Sequence, residues 1–196
     1  MALNAEDGRD GEPGNRQCIL VTNNENNIAE EVCYERNRRV IESYTNSKGA
    51  AVPGLVGNAL RYYRADLVPL SQPRESLRRE VVRQSVALLC LKEDCYDDIS
   101  DPATADQFGL FENEHHYLLV IFNDRHIGRA VERLLSVLPK PGGPTREYVR
   151  TYVYSTGTHT YDADFLPVID RVRLCPLPEA ILRAHDETRL LLKTLH

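Results

Sequence analysis

The chain has no tryptophan, no short paired cysteine spacing, and no uninterrupted apolar stretch of the roughly 18 to 20 residues that a membrane-spanning helix needs. The N-terminus also lacks the basic-then-apolar layout of a secretory signal, so the reading is a cytoplasmic chain without membrane contact. A surplus of Lys and Arg is missing as well. A net charge of −5 with a pI near 5.7 argues against holding duplex DNA by bulk electrostatics, so any nucleic-acid contact must be local or come from another segment. Five cysteines, Cys18, Cys33, Cys90, Cys95 and Cys175, support neither a disulfide framework nor a zinc site. Cys18, Cys90 and Cys175 lie in or beside apolar runs and read as reduced, buried thiols.

Phosphate-cradling loops are absent too. There is no G-x-G-x-x-G after a strand, no G-x-x-x-x-G-K-[ST], no G-x-S-x-G elbow, and no internal repeat. What remains is 196 residues of ordinary globular composition, long enough for one domain with an appendage. Residues 1–15 read as a disordered leader, residues 16–72 as a first α/β segment, and residues 73–196 as a second α/β region.

In the first segment, Gln17-Cys-Ile-Leu-Val-Thr22 is a nearly continuous apolar run, as in a strand covered on both faces. Asn27 and Glu30 form an Asn-headed variant of the capping box, opening a helix to about Tyr44 with Ile28, Val32, Val40, Ile41 and Tyr44 as its buried stripe. Thr45 to Gly57 reads as a loop and Leu60-Arg-Tyr-Tyr-Arg64 as the next strand. Strand, helix, strand in this order is the repeating unit of an open, doubly wound parallel sheet.

In the second region a charged helix begins near Arg74 and runs into the apolar stretch Ser85 to Leu91. An acidic, solvated loop follows from Glu93 to Asp101. Tyr117 to Phe122 is the strongest strand signal. Ile127, Ala130, Val131, Leu134, Leu135 and Leu138 then recur at helical spacing. Tyr148 to Tyr154 reads as a strand, Asp162 to Ile169 as a short helix, Val172 to Cys175 as a last strand, and the tail from Pro178 to Leu192 as a helix. His115 and His116 stand at one end of the strongest strand and Asp124 and His126 at the other, separated by roughly 20 Å. These four cannot share a metal, and the histidines read as solvated loop residues.

Glu25 is the sharpest position. It follows the carboxyl end of the first expected strand, where open α/β sheets bind ligands, and a carboxylate there can accept hydrogen bonds from both hydroxyls of a ribose. The alternative is that Glu25 and its Asn neighbours cap a helix and favour its dipole.

The residues Arg16-Gln-Cys-Ile-Leu-Val-Thr-Asn-Asn-Glu-Asn-Asn-Ile28, Tyr34-Glu-Arg36, Arg39-Val-Ile41, Tyr44-Thr-Asn-Ser-Lys-Gly49, Gly54-Leu55, Gly57-Asn58 and Leu60-Arg-Tyr-Tyr-Arg64 resemble the C-terminal portion of adenine-specific DNA methyltransferases. The nearest group is the modification subunit of type III restriction-modification systems. Ala87-Leu-Leu-Cys-Leu-Lys-Glu-Asp94 and Leu174-Cys-Pro-Leu-Pro-Glu-Ala-Ile-Leu182 extend the resemblance to about residue 185. Val56 before Gly57 and Ala59 after Asn58 depart from the family's usual loop. The resemblance implies a partial Rossmann-like, S-adenosylmethionine-dependent methyltransferase sheet over residues 16–72, followed by a family-specific C-terminal α/β region. It implies S-adenosylmethionine as cofactor of the complete enzyme and methylation of the exocyclic amine of adenine in DNA. Glu25 would contact the cofactor, Asn23, Asn24 and Asn26 would flank it, and Asp66 would face its adenine end; no catalytic residue is expected. The family's Phe-x-Gly-x-Gly-like loop and Asp-Pro-Pro-Tyr motif are not in this chain, so alone it is expected not to methylate DNA. Expected partners are DNA through the complete enzyme, a complementary methyltransferase half, a second copy of the chain, and a restriction subunit. A different class of function is a non-catalytic module for dimerisation or restriction-subunit contact.

Overall fold

The computed structural model describes residues 18–55, 57–65, 74–138, 148–155 and 160–184, with the side chains of residues 74 and 75 excepted. The chain divides into two compact units, Met1–Asp66 and Leu67–His196. The expected leader over residues 1–15 and the end of the C-terminal helix, beyond residue 184, lie outside the described residues.

Unit 1 is built from local interactions. Asn24, Asn26 and Asn27 take left-handed backbone angles (φ 53°, 53° and 58°), which Asn tolerates better than most side chains. They fold the 3-10 turn Glu25–Asn27, which leads into a π-helical segment Ile28–Tyr34 and then α1, Glu35–Glu42. The expected cap is corrected here. Asn27 makes no capping bond; the Asn24 side-chain oxygen accepts from the Ala29 N–H at 2.9 Å, and Asn27 instead donates to Glu31 at 3.3 Å. Glu35 sits between Arg38 and Arg39 (2.9 and 2.6 Å), whose hydrogen bonds hold its carboxyl down at about 2. The helix stops at Glu42, before the expected end at Tyr44, because Ser43 swings to φ 129° and opens β1 (Ser43–Thr45). β1 pairs antiparallel with β2 (Ala51–Pro53), so the expected loop is a hairpin. Asn46 closes it by accepting from the Lys48 and Ala50 N–H groups at 2.9 and 3.0 Å. Gly54 lets the returning chain pass α1 closely: a Cβ there would lie 2.3 Å from the Ile41 carbonyl oxygen.

Two expected strands are absent from unit 1. Residues 18–22 and 60–64 carry no ladder, and Ile19, Leu20 and Val21 are 65%, 61% and 91% exposed. Of the expected helix stripe, Ile28, Val32, Val40 and Tyr44 are exposed and Ile41 is half-buried; Ala29 alone is buried among the described residues of this unit. The physical reason is common to both corrections. An apolar strand is stable only between neighbours that satisfy its backbone and cover its faces, and the described part of unit 1 supplies none.

Unit 2 is a mixed α/β layer structure. Its five-stranded sheet runs in chain order, β3 (Asp97–Asp98), β4 (Phe108–Glu112), β5 (Tyr117–Ile121), β6 (Val149–Val153) and β7 (Val172–Leu174). The β3–β4 and β4–β5 pairs are antiparallel; β5–β6 and β6–β7 are parallel. Among the described residues the parallel strands thus fall in the second unit, whereas the pair in the first is antiparallel. α2 (Arg74–Glu93) covers one face, and α3 (Ile127–Val137) with the 3-10 segment Leu166–Arg171 covers the other.

Strand alternation sorts the core between these layers. Tyr117, Leu119 and Ile121 join Phe108, Leu110, Val149 and the α3 stripe Ile127, Ala130, Val131 and Leu134. Leu118 and Val120 face the other way and pack with Tyr152, Tyr154 and Val82, Leu89 and Cys90 of α2. Leu135 departs from the expected α3 stripe and is exposed, being one position round the helix from Leu134. Of the thiols expected buried, Cys90 is, Cys18 is exposed and Cys175 half-buried; Cys95 is fully buried. β4 is not foreseen by periodicity, because Gly109 interrupts its apolar run. Asn113 turns it into β5 by accepting from the His115 and His116 N–H groups, both at 2.8 Å.

Candidate functional site

In unit 1, Glu25 lies at the tip of the asparagine turn, exposed to solvent. Asn23 braces it from both sides of the peptide: its side-chain oxygen accepts from the Glu25 N–H at 3.3 Å, and its amide approaches Glu25 Oε2 at 3.5 Å. Oε1 makes no bond among the described residues, which leaves an acceptor facing water beside the braced one. Asn24 is half-buried and serves the helix start through Ala29, while Asn26 is exposed at the turn. A left-handed turn carrying one braced carboxylate suits a vicinal diol, which donates two neighbouring O–H groups. Glu25 itself makes no helix-capping side-chain bond; Asn24 takes that role. Asp66 lies outside the described residues.

In unit 2 a buried polar cluster gathers at the amino ends of β5, β6 and β7. Glu93, placed by sequence in a solvated acidic loop, is the last residue of α2, and its side chain is 1% exposed. Lys92 and the Tyr152 hydroxyl both donate to Glu93 Oε1 at 2.5 Å, and Arg150 donates to Oε2. Lys92 also reaches the Tyr152 oxygen at 2.7 Å. Burial pushes the Glu93 carboxyl up, but the bonds from Lys92 and Tyr152 and the charge of Arg150 outweigh it and hold the group below the usual range. Burial and the hydrogen bond to Glu93 push Tyr152 up to about 12.

His116, expected in solvent, is 8% exposed. It stacks on Tyr148 at 5.5 Å between ring centroids, and Arg173 lies 4.2 Å over the other partner's ring centroid, that of Tyr148. Burial, then the charge of Arg150, lowers the His116 pKa and favours the neutral ring. The Glu93 carboxylate is satisfied by the cluster's own bonds, whereas the buried His116 Nε2 has no partner among the described residues, and the cluster sits at the strand ends opposite those where open α/β sheets bind ligands. Its chemistry is that of a structural polar knot. Sequence reasoning missed it although Tyr148, Arg150 and Tyr152 alternate, which puts all three on one sheet face.

No family model, curated protein or solved structure compared with the chain matches it.

Among the described residues, no group of three or more His, Cys, Asp and Glu could hold a metal ion, and no helix is long and apolar enough to cross a membrane. At the carboxyl ends of β5 and β6, Asp124 accepts from Ser155 at 2.9 Å and Tyr161 at 3.4 Å, tying the two loop starts together. Of the sequence-derived candidates, Glu25 and Asn23 come together as a braced acceptor, while His115, His116 and His126 share no site.

Proposed function

We propose that this chain is the C-terminal segment of an adenine-specific DNA methyltransferase, contributing Glu25 to the S-adenosylmethionine site of the complete enzyme. The resemblance of residues 16–64 to the modification subunits is the basis of the reading. The structural observation in its favour is the exposed run Ile19–Val21 beside the braced Glu25 carboxylate. Such an apolar run calls for flanking strands, and a methyltransferase cofactor sheet would supply them along with the glycine loop.

Bound there, the cofactor would supply the methyl group. This chain's own share is to accept the ribose hydroxyls at the Glu25 carboxylate, with Asn23 holding that carboxylate in place. The target amine would be positioned by the Asp-Pro-Pro-Tyr segment of the other part, so the isolated chain is inert toward DNA.

The test is to combine the chain with a polypeptide carrying the glycine loop and the Asp-Pro-Pro-Tyr motif and to follow labelled methyl transfer to DNA. Transfer should require both parts. In the assembled enzyme, Glu25→Ala should raise the cofactor dissociation constant by roughly tenfold or more, the loss expected for a charged hydrogen-bond pair. An unchanged constant returns Glu25 to a turn residue. Failure of every such combination to methylate, with the two parts shown to associate, leaves the assembly-module reading in its place.

A further inference from the structure

On the α2 face of unit 2 lies a groove of about 900 Å3, enclosed by α2, β3, β4 and the turn after β5. Its floor exists because β4 carries Gly109 where its neighbours on that face carry Phe111 and, across the ladder, Val120. A Cβ on Gly109 would stand 2.8 Å from Phe111 Cε2 and 3.1 Å from Cζ, and 3.8 Å from the tip of the Phe122 ring. The glycine backbone is not left-handed, so what the position supplies is room, and the two phenyl rings lie over it.

Above this aromatic floor the rims are basic. One rim is α2, where Val82 and Val86 line the base and Arg78, Arg79 and Arg83 rise beside them at helical spacing. The other is the turn after β5, with Arg125 and His126. Asn123 holds Arg125 by accepting from its N–H and its Nε, both at 3.1 Å. Asp98 and Asp106 also line the groove and Glu80 pairs with Arg83 at 3.0 Å, so four guanidinium groups and an imidazole stand against three carboxylates. Asp98 is partly engaged, accepting from the Ser100 N–H at 2.9 Å. The Arg125 rim follows the carboxyl end of a parallel strand, the side on which open α/β sheets bind ligands.

We propose that this groove binds a nucleotide, the base lying on the Phe111 and Phe122 rings and the phosphates between the arginines of α2 and Arg125. Flat aromatic faces accept any base by stacking, and forked guanidinium groups match phosphate oxygens. The proposal stands on unit 2 alone and is independent of Glu25. S-adenosylmethionine lacks phosphate, so the two sites are told apart by ligand.

The full chain is titrated calorimetrically at low salt with ADP, adenosine, S-adenosylmethionine and a single-stranded oligothymidylate without terminal phosphates. ADP is expected to bind with a dissociation constant below about 0.1 mM, and adenosine roughly tenfold or more weaker. Arg79→Glu and Arg125→Glu, both at exposed positions, should each weaken ADP binding by roughly tenfold or more. Gly109→Leu should abolish it by filling the floor, with circular dichroism confirming the fold. Binding of the oligonucleotide with the same sensitivity to both arginine variants identifies a nucleic-acid strand as the source of the nucleotide, and binding of ADP alone identifies the free form. No binding of either ADP or oligonucleotide at millimolar concentration, or binding indifferent to both arginine variants, overturns the proposal.

Discussion

The two units treat similar apolar content in opposite ways. In unit 2 the five residues of β5 are all buried, and each alternate set meets its own helical layer. In unit 1 Ile19, Leu20 and Val21 have comparable strand character and remain exposed in an unladdered segment. Hydrophobicity therefore decides little by itself. A strand is made by its neighbours, and β5 has β4 and β6 on either side while residues 18–22 have none among the described residues.

The strongest way to probe this contrast is truncation in the two runs. Leu119→Ala, at the centre of the sheet, should destabilise the chain by about 2 to 5 kcal/mol, whereas Val21→Ala should change stability by less than about 0.5 kcal/mol. Chemical denaturation of the two variants measures both. A large loss from Val21→Ala would mean that the run is already covered within this chain. In the assembled methyltransferase proposed above, the same substitution should become costly, because the run would then be buried.

A smaller effect belongs to the polar knot. Glu93→Ala leaves Lys92 and Arg150 facing each other without the carboxylate between them. Their side chains are 49% and 35% exposed, so solvent relieves part of the penalty, and a loss of about 1 to 3 kcal/mol follows. Replacing Glu80, whose pairing with Arg83 lies on the exposed face of α2, should cost less than about 1 kcal/mol. Equal losses from the two carboxylates in denaturant titrations would remove the distinction between a buried and a solvated pair.

The smallest effect is a pH dependence. The folded-state pKa of His116 is lowered by burial and by Arg150, so its contribution is complete above the unfolded value near 6.5. That contribution is lost as pH falls from there through the folded value. Glu93, also lowered, adds a second loss at more acid pH, below about 4.3. The melting temperature should therefore drop between pH 7 and 5, and this drop should shrink in His116→Gln. A variant that keeps the wild-type slope would assign the dependence to other groups.

Much of unit 2 was legible in the sequence because its signals were long and redundant. The α3 spacing of Ile127, Ala130, Val131 and Leu134 and the unbroken run at Tyr117 place a strand and the helix that follows it, while the parallel pairing of β5 with β6 was expected instead in residues 16–72. What escaped is what depends on distant partners. Glu93 stands among acidic residues that do face water, and nothing local announces that Lys92, Arg150 and Tyr152 converge on it. Gly109 hides β4 from periodicity for the same reason that it opens the groove. In unit 1 the Asn-rich turn was legible as a helix start, but the choice of Asn24 over Asn27 as the capping side chain rests on the left-handed torsions of Asn24, Asn26 and Asn27, which composition does not order. Glu25 was expected just past the carboxyl end of a strand, but residues 18–22 form none, and what holds it is the asparagine turn and its bracing by Asn23.

The mixed ladder directions of the unit 2 sheet set an order in time. The antiparallel β4–β5 pair closes through the short turn at Asn113–His116, whereas the parallel β5–β6 pair must wait for α3 and the chain beyond it to cross back over the sheet. Loop-closure entropy grows with the length enclosed, so the hairpin is the natural nucleus and the β5–β6 pair, which encloses a longer connection than β6–β7, closes late. Folding speed should thus be governed by residues around Asn113, and the lifetime of the folded state by the late-closing parallel pairing of Tyr117–Ile121 with Val149–Val153.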